Sequence, residues 1–381
     1  MALDSETREQ LLETVRRFVR EKCVPIEAKV AEDDRIPSGV IAEMRALGLF
    51  GLSIPVEYGG LGLTMEEEAL VVIELCHTSP AFRSAIGSNV GIGSQGVVMF
   101  GTEAQKAQWL PRLAGGEVIA SFALTEPGAG SDAASLRTTA LRDGGDYVVN
   151  GTKRFITNAD RAGMFTLMAR TDPSKKGAPG ISAFIVPADT KGVSIGKPEK
   201  KMGQQGAHIC DVIFEDARVP ASLRLGEEGE GFKVAMQVLD RGRLHIASVC
   251  VGVAERLIEE AVSYAREREQ FGKKIGEFQL IQAMLADSKT EAYAARSMLL
   301  DAARKYDAGK NVTMEAACTK YFASEMVGRV ADRAVQIFGG AGYVADYGIE
   351  RFYRDVRVFR IYEGTSQVQQ LVIAKNLLKV D

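Results

Sequence analysis

The 381-residue sequence predicts an α+β multidomain protein. An N-terminal helical domain (1–116) leads to a middle antiparallel β-barrel or sandwich domain (117–228), and a C-terminal four-helix bundle (229–381) closes the chain. Three observations predict this order. Helical periodicity with capping signals fills the first 115 residues or so. Short β-prone runs divided by turn dipeptides then occupy 117–219, with no room for crossover helices, and helical periodicity returns after Gly231 and stays. The length suits two or three domains at about 150 residues each.

Asp4 and Ser5 are placed to cap a first helix running to about Lys22, where Pro25 would end it. Pro37 opens a short helix that Gly48 closes, and the turn-rich stretch 51–62 interrupts the pattern. Thr64 with Glu67, and Thr102 with Gln105, are capping boxes that start two more helices. Between them Gly91-Ile-Gly93-Ser-Gln-Gly96 spells GxGxxG, but the dinucleotide fingerprint needs a strand feeding a tight turn and a helix start. Here both flanks read as helical, so close packing or room for a ligand in a pocket floor made with Gly87 explains the glycines better.

The β-prone runs are 118–124, 136–142, 147–150, 164–169, 181–186 and 209–214, separated by turns such as Asp143-Gly144, Asn150-Gly151 and Pro179-Gly180. In the last third, Ile246, Val249, Val253, Leu257, Ala261 and Tyr264 trace one face of a long helix that Gly272 ends. Ile281, Leu285, Ala292, Ala295 and Leu299 trace a second, and Phe322, Met326, Val330, Ala334 and Ile337 a third. Ser366 with Gln369 fits a capping box for the last helix.

Composition excludes several functions. With a net charge of −3 and no dense Lys/Arg cluster, nucleic acid is not an expected partner. No apolar run nears the roughly 20 residues that span a bilayer, and Met-Ala-Leu-Asp-Ser-Glu-Thr-Arg lacks a signal peptide's layout. No membrane association and a cytoplasmic location are therefore expected. The five cysteines and three histidines show no zinc-ligand spacing, and no metal is expected.

Two stretches carry candidate chemistry. Glu363 follows Ile361-Tyr362 and stands before Gly364 on a loop that leads into a helix. Apolar neighbours disfavour its charged form, so it reads as a general base with a pKa raised toward neutrality, or else as a solvated loop acid. The loop Thr125-Glu-Pro-Gly-Ala-Gly-Ser-Asp132 follows a strand and can present N–H groups and hydroxyls to an anionic or polar ligand, or be a plain turn. Arg268 reads equally as surface, and Arg243 as an i, i+3 partner of Asp240.

Taken together, TEPGAGSD (125–132), FITNA (155–159), REREQFGKKIGEFQ (266–279), QIFGGAGY (336–343) and IYEGTSQ (361–367) resemble the acyl-CoA dehydrogenase family along essentially the whole chain. The resemblance implies FAD as cofactor. It assigns the flavin's surroundings to Phe122, Leu124, Thr125, Gly130, Ser131, Phe155, Ile156 and Thr157, and a neighbouring subunit's FAD to Arg268, Gln270, Phe271, Gln336, Ile337, Gly339 and Gly340. Thr365 and Gln367 match contacts to the adenosine pyrophosphate. Ser131, Asp240, Arg243, Tyr362 and Gly364 match the acyl-CoA site, and Glu363 the catalytic base. Where many relatives carry tryptophan this chain has Phe155. One branch takes its base from the position held here by Gly242.

The implied activity is α,β-dehydrogenation of a short- or medium-chain acyl-CoA to the trans-2-enoyl-CoA. Electrons would pass to an electron-transferring flavoprotein, and the assembly would be a homotetramer. An acyl-CoA oxidase, a desulfinase-like enzyme, a branched-chain dehydrogenase and an idle helical subunit are the alternatives.

Overall fold

The first helix, α1 (Ser5–Phe18), begins where the Asp4 carboxylate accepts from the backbone N–H groups of Glu6 and Thr7, both at 2.9 Å. In the computed structural model, which describes residues 2–379, Pro25 does not end the helical run. A π turn (Val19–Cys23) and a 3-10 turn (Val24–Ile26) absorb its missing N–H, and α2 (Glu27–Asp33) continues. After α3 (Ser38–Ala46), both expected capping boxes form, Thr64 opening α4 (Met65–Leu75) and Thr102 opening α7 (Glu103–Ala114).

Between those two, α5 (Pro80–Val90) and α6 (Ile92–Phe100) meet at Gly91, so GxGxxG lies in helices. A Cβ on Gly93 would stand 2.9 Å from the Ala120 Cβ, and one on Gly96 3.1 Å from Thr166 Cγ2. These glycines let α6 lie against the sheet; of the four expected at a pocket floor, only Gly87 reaches the cleft described below.

The sheet comprises β1 (Ala120–Ala123), β2 (Thr139–Asp143), β3 (Asp146–Thr157), β4 (Met164–Arg170), β5 (Ile181–Pro187), β6 (Val193–Ile195), β7 (Ile209–Pro220) and β8 (Arg224–Leu225). Its order is β6-β7-β3-β2-β4-β5-β8, with β1 beside β4. All pairings are antiparallel except β1 with β4 and a single β2–β4 pair, Thr139 with Arg170, which are parallel. The strands β3 and β7 are longer than their apolar runs because their polar halves are sustained by pairing with each other. A register shift in β3 between Lys153 and Ile156 sends Lys153 into the core and leaves Phe155 outside with φ +58°.

The chain then enters α8 (Gly231–Glu267), 37 residues long. It ends before Gly272, because Glu269–Gln270 (β9) and Lys273–Lys274 (β10) form a hairpin. Phe271 and Gly272 at its tip are both left-handed, at φ +52° and +79°. Next come α9 (Gln279–Asp307), α10 (Thr313–Phe338), the short α11 (Gly340–Tyr343) and α12 (Ile349–Asp355), and α13 (Ser366–Leu377).

Buried residues of α1, α4, α8, α9 and α10, among them Leu12, Val72, Val253, Leu299 and Val327, belong to one apolar cluster. The two helical ends of the chain therefore share a core, and the sheet stands beside it. No described helix is long and apolar enough to cross a membrane.

Candidate active site

A cleft of about 630 Å³ opens where β1, the β3 bulge, α5, α8 and the segment before α13 converge. Its β wall is Phe122, Leu124 and Thr125, the loop at Gly130 and Ser131, and Phe155 to Thr157. Opposite stand Arg83, Ser84 and Gly87 of α5, an apolar stripe of Phe232, Met236 and Leu239 on α8, and Arg243. Tyr362, Glu363 and Gly364 close one end. The structure thus gathers into one cleft twelve of the site residues that the resemblance assigns, together with Gly87.

Others lie elsewhere. Asp240 does not line the cleft; it pairs with Arg243 and accepts from the Thr313 hydroxyl at 2.7 Å. Arg268 and Gln270 are exposed on the hairpin, and Phe271 at its tip is 94% exposed. Gln336, Gly339 and Gly340 are exposed at the end of α10, whereas Ile337 is buried against Ala261, Ala265 and Ile275. Gln367 is exposed. Thr365, not Ser366, caps α13, its Oγ1 accepting from the Val368 N–H at 3.2 Å. The expected box does not form: Ser366 donates to Glu325 Oε1 at 2.6 Å instead, and Val368, three residues after Thr365, has no polar side chain to return the bond.

Glu363 lines the cleft on the turn that leads into α13. Its backbone is left-handed, φ +52°, a conformation that strains a non-glycine residue by about 1 kcal/mol or more. The Gln369 amide donates to the carbonyls of Glu363 and Gly364, both at 3.1 Å, and Lys320 Nζ donates to the Gly364 carbonyl at 2.7 Å. These three bonds fix the strained turn.

The Glu363 Oε2 is closed off from solvent and has no hydrogen-bond partner. Burial pushes this carboxyl above the ordinary glutamate range, while Arg83, Lys320 and Arg243 pull the other way. Gly242 of α8 faces it: a Cβ there would overlap Glu363 Oε2 and stand 2.9 Å from Ile92 Cγ2. The Tyr362 hydroxyl beside it is also buried without a partner.

Arg83 was not legible as a site residue in the sequence. Its Nε donates to His245 Nε2 at 2.8 Å, and His245 Nδ1 meets Glu68 Oε1 at 2.7 Å, with Arg241 on the other Glu68 oxygen. Burial, helped by Arg83, pushes His245 down to about 4, so the ring is neutral with its proton on Nδ1. Burial alone would raise Glu68, but Arg241 and His245 outweigh it and hold its carboxyl below the usual range. The chain of contacts anchors Arg83 at its Nε and leaves its charge facing Glu363.

Across the cleft, the loop after β1 is held by Lys153, fully buried, whose Nζ reaches Leu124 O at 3.0 Å and Glu126 Oε1 at 2.7 Å. Glu126 also accepts from the backbone N–H groups of Arg137 and Thr138 at 2.6 and 2.9 Å. Phe155 is braced by the Arg154 guanidinium 5.5 Å over its ring, itself bound at 3.1 Å to both oxygens of Asp211. A Cβ on Gly128 or Gly130 would meet nothing within 4 Å. An aromatic held outward in a strained bulge, beside an open loop bearing hydroxyls, fits a flat polar cofactor such as a flavin.

Comparison with known proteins bears on the whole chain. Family models described as the N-terminal, middle and C-terminal domains of acyl-CoA dehydrogenase match residues 5–117, 121–217 and 229–378. An acyl-CoA dehydrogenase of Bacillus subtilis is 42% identical over 374 residues, covering 98% of both chains. A caffeyl-CoA reductase-Etf complex subunit of Acetobacterium woodii is 43% identical over 376 residues, 98% of this chain and 99% of that one. Among solved structures, butyryl-CoA dehydrogenase from Megasphaera elsdenii superposes with a TM-score of 0.95 at 38% identity over all of both chains. An acyl-CoA dehydrogenase complexed with FAD, from Bacillus anthracis, gives 0.92 at 36% identity, covering 99% of this chain and 67% of that one.

Proposed function

The chain belongs to the acyl-CoA dehydrogenase family, and from that premise we propose that it removes the α-proton and β-hydride of a short- or medium-chain acyl-CoA, with Glu363 as the base. One observation carries the reading. A carboxylate oxygen with no partner is buried on a strained turn, and it faces a cleft whose opposite wall suits a flavin.

FAD, held by Phe122, Leu124, Thr125, Gly130, Ser131 and Phe155 to Thr157, would supply the acceptor for the β-hydride. The rest of the chemistry belongs to the protein. Desolvation makes the Glu363 carboxylate a stronger base than a solvated glutamate, which suits an α-proton of weak acidity. The turn that strains its backbone directs the side chain into the cleft and fixes it there, so little reorganisation precedes proton removal.

The Glu363 backbone N–H has no acceptor among the described residues, and it suits the thioester oxygen, where charge develops as the proton leaves. By microscopic reversibility the same atoms serve the reductive direction named for the Acetobacterium relative.

That relative's name also supports an electron-transferring flavoprotein as redox partner, and the butyryl-CoA dehydrogenase likeness supports a short acyl group. A homotetramer is the assembly we assign, with Arg268, Gln270 and Phe271 contributing to a neighbour's FAD. The wholly exposed ring of Phe271 on a hairpin tip supports it.

The test is an anaerobic titration with acyl-CoAs of graded length. Wild-type flavin should bleach, whereas Glu363→Gln should stay yellow, retaining FAD but reducing at least a hundredfold more slowly. Near-normal bleaching of the variant would overturn the assignment.

A further inference from the structure

Behind the turn that presents Glu363 lies an amine no substrate can touch. Lys320, on α10, is fully buried and does not line the cleft. Its Nζ bonds the Gly364 carbonyl at 2.7 Å and makes no other hydrogen bond among the described residues. An ammonium has three protons to place, and burying it without a carboxylate partner is unfavourable unless a nearby charge compensates.

The charged and titratable groups that face it are few. From α8 come Cys250 and Arg243, from α10 itself Glu325, and from the turn Glu363. Cys250 is buried and held as the thiol by that burial. Arg243 is paired with Asp240. Glu325 is occupied by Arg360 at 3.2 Å and by the Ser366 hydroxyl. Glu363 is the remaining anion, and Arg83 of α5 and Arg243 of α8 are the other cations directed at it.

We propose that Lys320 is a positioning residue for the base: its bond to the Gly364 carbonyl keeps Glu363 in the left-handed turn, and its charge stabilises the carboxylate from behind. The proposal rests on Glu363 being the α-proton base. Its two roles are separable. Gln369 also holds the Gly364 carbonyl, so the turn keeps a second tether when Lys320 is replaced.

The electrostatic role has a definite sign. Burial raises Glu363, and Lys320 is one of three cations that oppose it. Removing that charge raises Glu363 further, so the base is protonated over a wider range and the acid limb of the rate moves to higher pH. Burial also pushes Lys320 itself down to about 8, and above that pH the wild type loses the same charge.

The experiment compares FAD-loaded wild type, Lys320→Met and Lys320→Gln. Flavin reduction by an acyl-CoA is followed against pH, and the Glu363 carboxyl is titrated by infrared difference spectroscopy with Glu363→Gln as the blank. In both variants the acid limb and the infrared midpoint should rise by about one unit, and above the limb the rate should recover to within about tenfold of wild type. Should Lys320→Met not fold, Lys320→Gln decides. Slower variants with an unmoved limb and midpoint would overturn the proposal, since a merely structural lysine gives that result. If no acyl-CoA reduces the wild type, the base reading fails instead, and the infrared midpoints still report whether Lys320 tunes Glu363.

Discussion

Two loops confront each other across the cleft, each fastened by a buried lysine, and the two lysines differ in their partners. On the β side, Lys153 ties the Leu124 carbonyl to Glu126, a carboxylate that also takes two backbone N–H groups. Charge is cancelled locally, so this region can hold a cofactor without imposing a field of its own. On the helical side, Lys320 ties the Gly364 carbonyl and has no carboxylate bonded to it, so its charge acts on Glu363. Burial pushes both amines down to about 8, opposed for Lys153 by the Glu126 it bonds and for Lys320 by Glu363 and Glu325, neither of which it bonds. A compensated clamp provides geometry alone, whereas an uncompensated clamp provides geometry and electrostatics together.

The contrast is broken most severely by filling the space opposite Glu363. Gly242→Ala puts a Cβ onto Glu363 Oε2 and should slow flavin reduction by about a hundredfold or more, with FAD content unchanged. Rapid mixing with acyl-CoA would show it, and a near-normal rate would mean that the carboxyl has another place to work.

Lys153→Met strands Glu126 as a buried, unpaired charge and should destabilise the fold by about 3 kcal/mol. Its urea midpoint and flavin retention should fall while the acid limb of the rate stays in place. A shifted limb would mean that the two clamps are not electrically distinct.

The smallest effect belongs to the bulge. Phe155→Gly relieves a left-handed phenylalanine and should leave the apoprotein as stable as wild type or about 1 kcal/mol more so, while weakening FAD binding through loss of the exposed ring. Denaturant unfolding of the apoprotein and a flavin titration would separate the two contributions.

Much of this was legible in the sequence wherever the governing physics is short in range. The boxes at Thr64 and Thr102 form because Glu67 and Gln105 lie within one turn, and GxGxxG was recognised as helical from its flanks. The apolar stripe Phe232, Met236 and Leu239 at helical spacing was equally visible but carried no sign that it faced a cleft. The spacing of Ser366 to Gln369 predicts a cap at Ser366. Glu325, 41 residues away, claimed its hydroxyl and left the cap to Thr365.

By itself, then, the sequence determined the order of helices and strands, the family resemblance and the acid at 363, since periodicity, caps and short motifs are local properties of a chain. Only the tertiary structure decided that Arg83 and Lys320 face that acid, that Gly242 makes room for it and that Phe155 stands out from a bulge. The bonds that fix Lys320 and Arg83 join residues 44 and 162 positions apart, and the shift of Glu363 comes from exclusion of water, which exists only once the surrounding elements have packed.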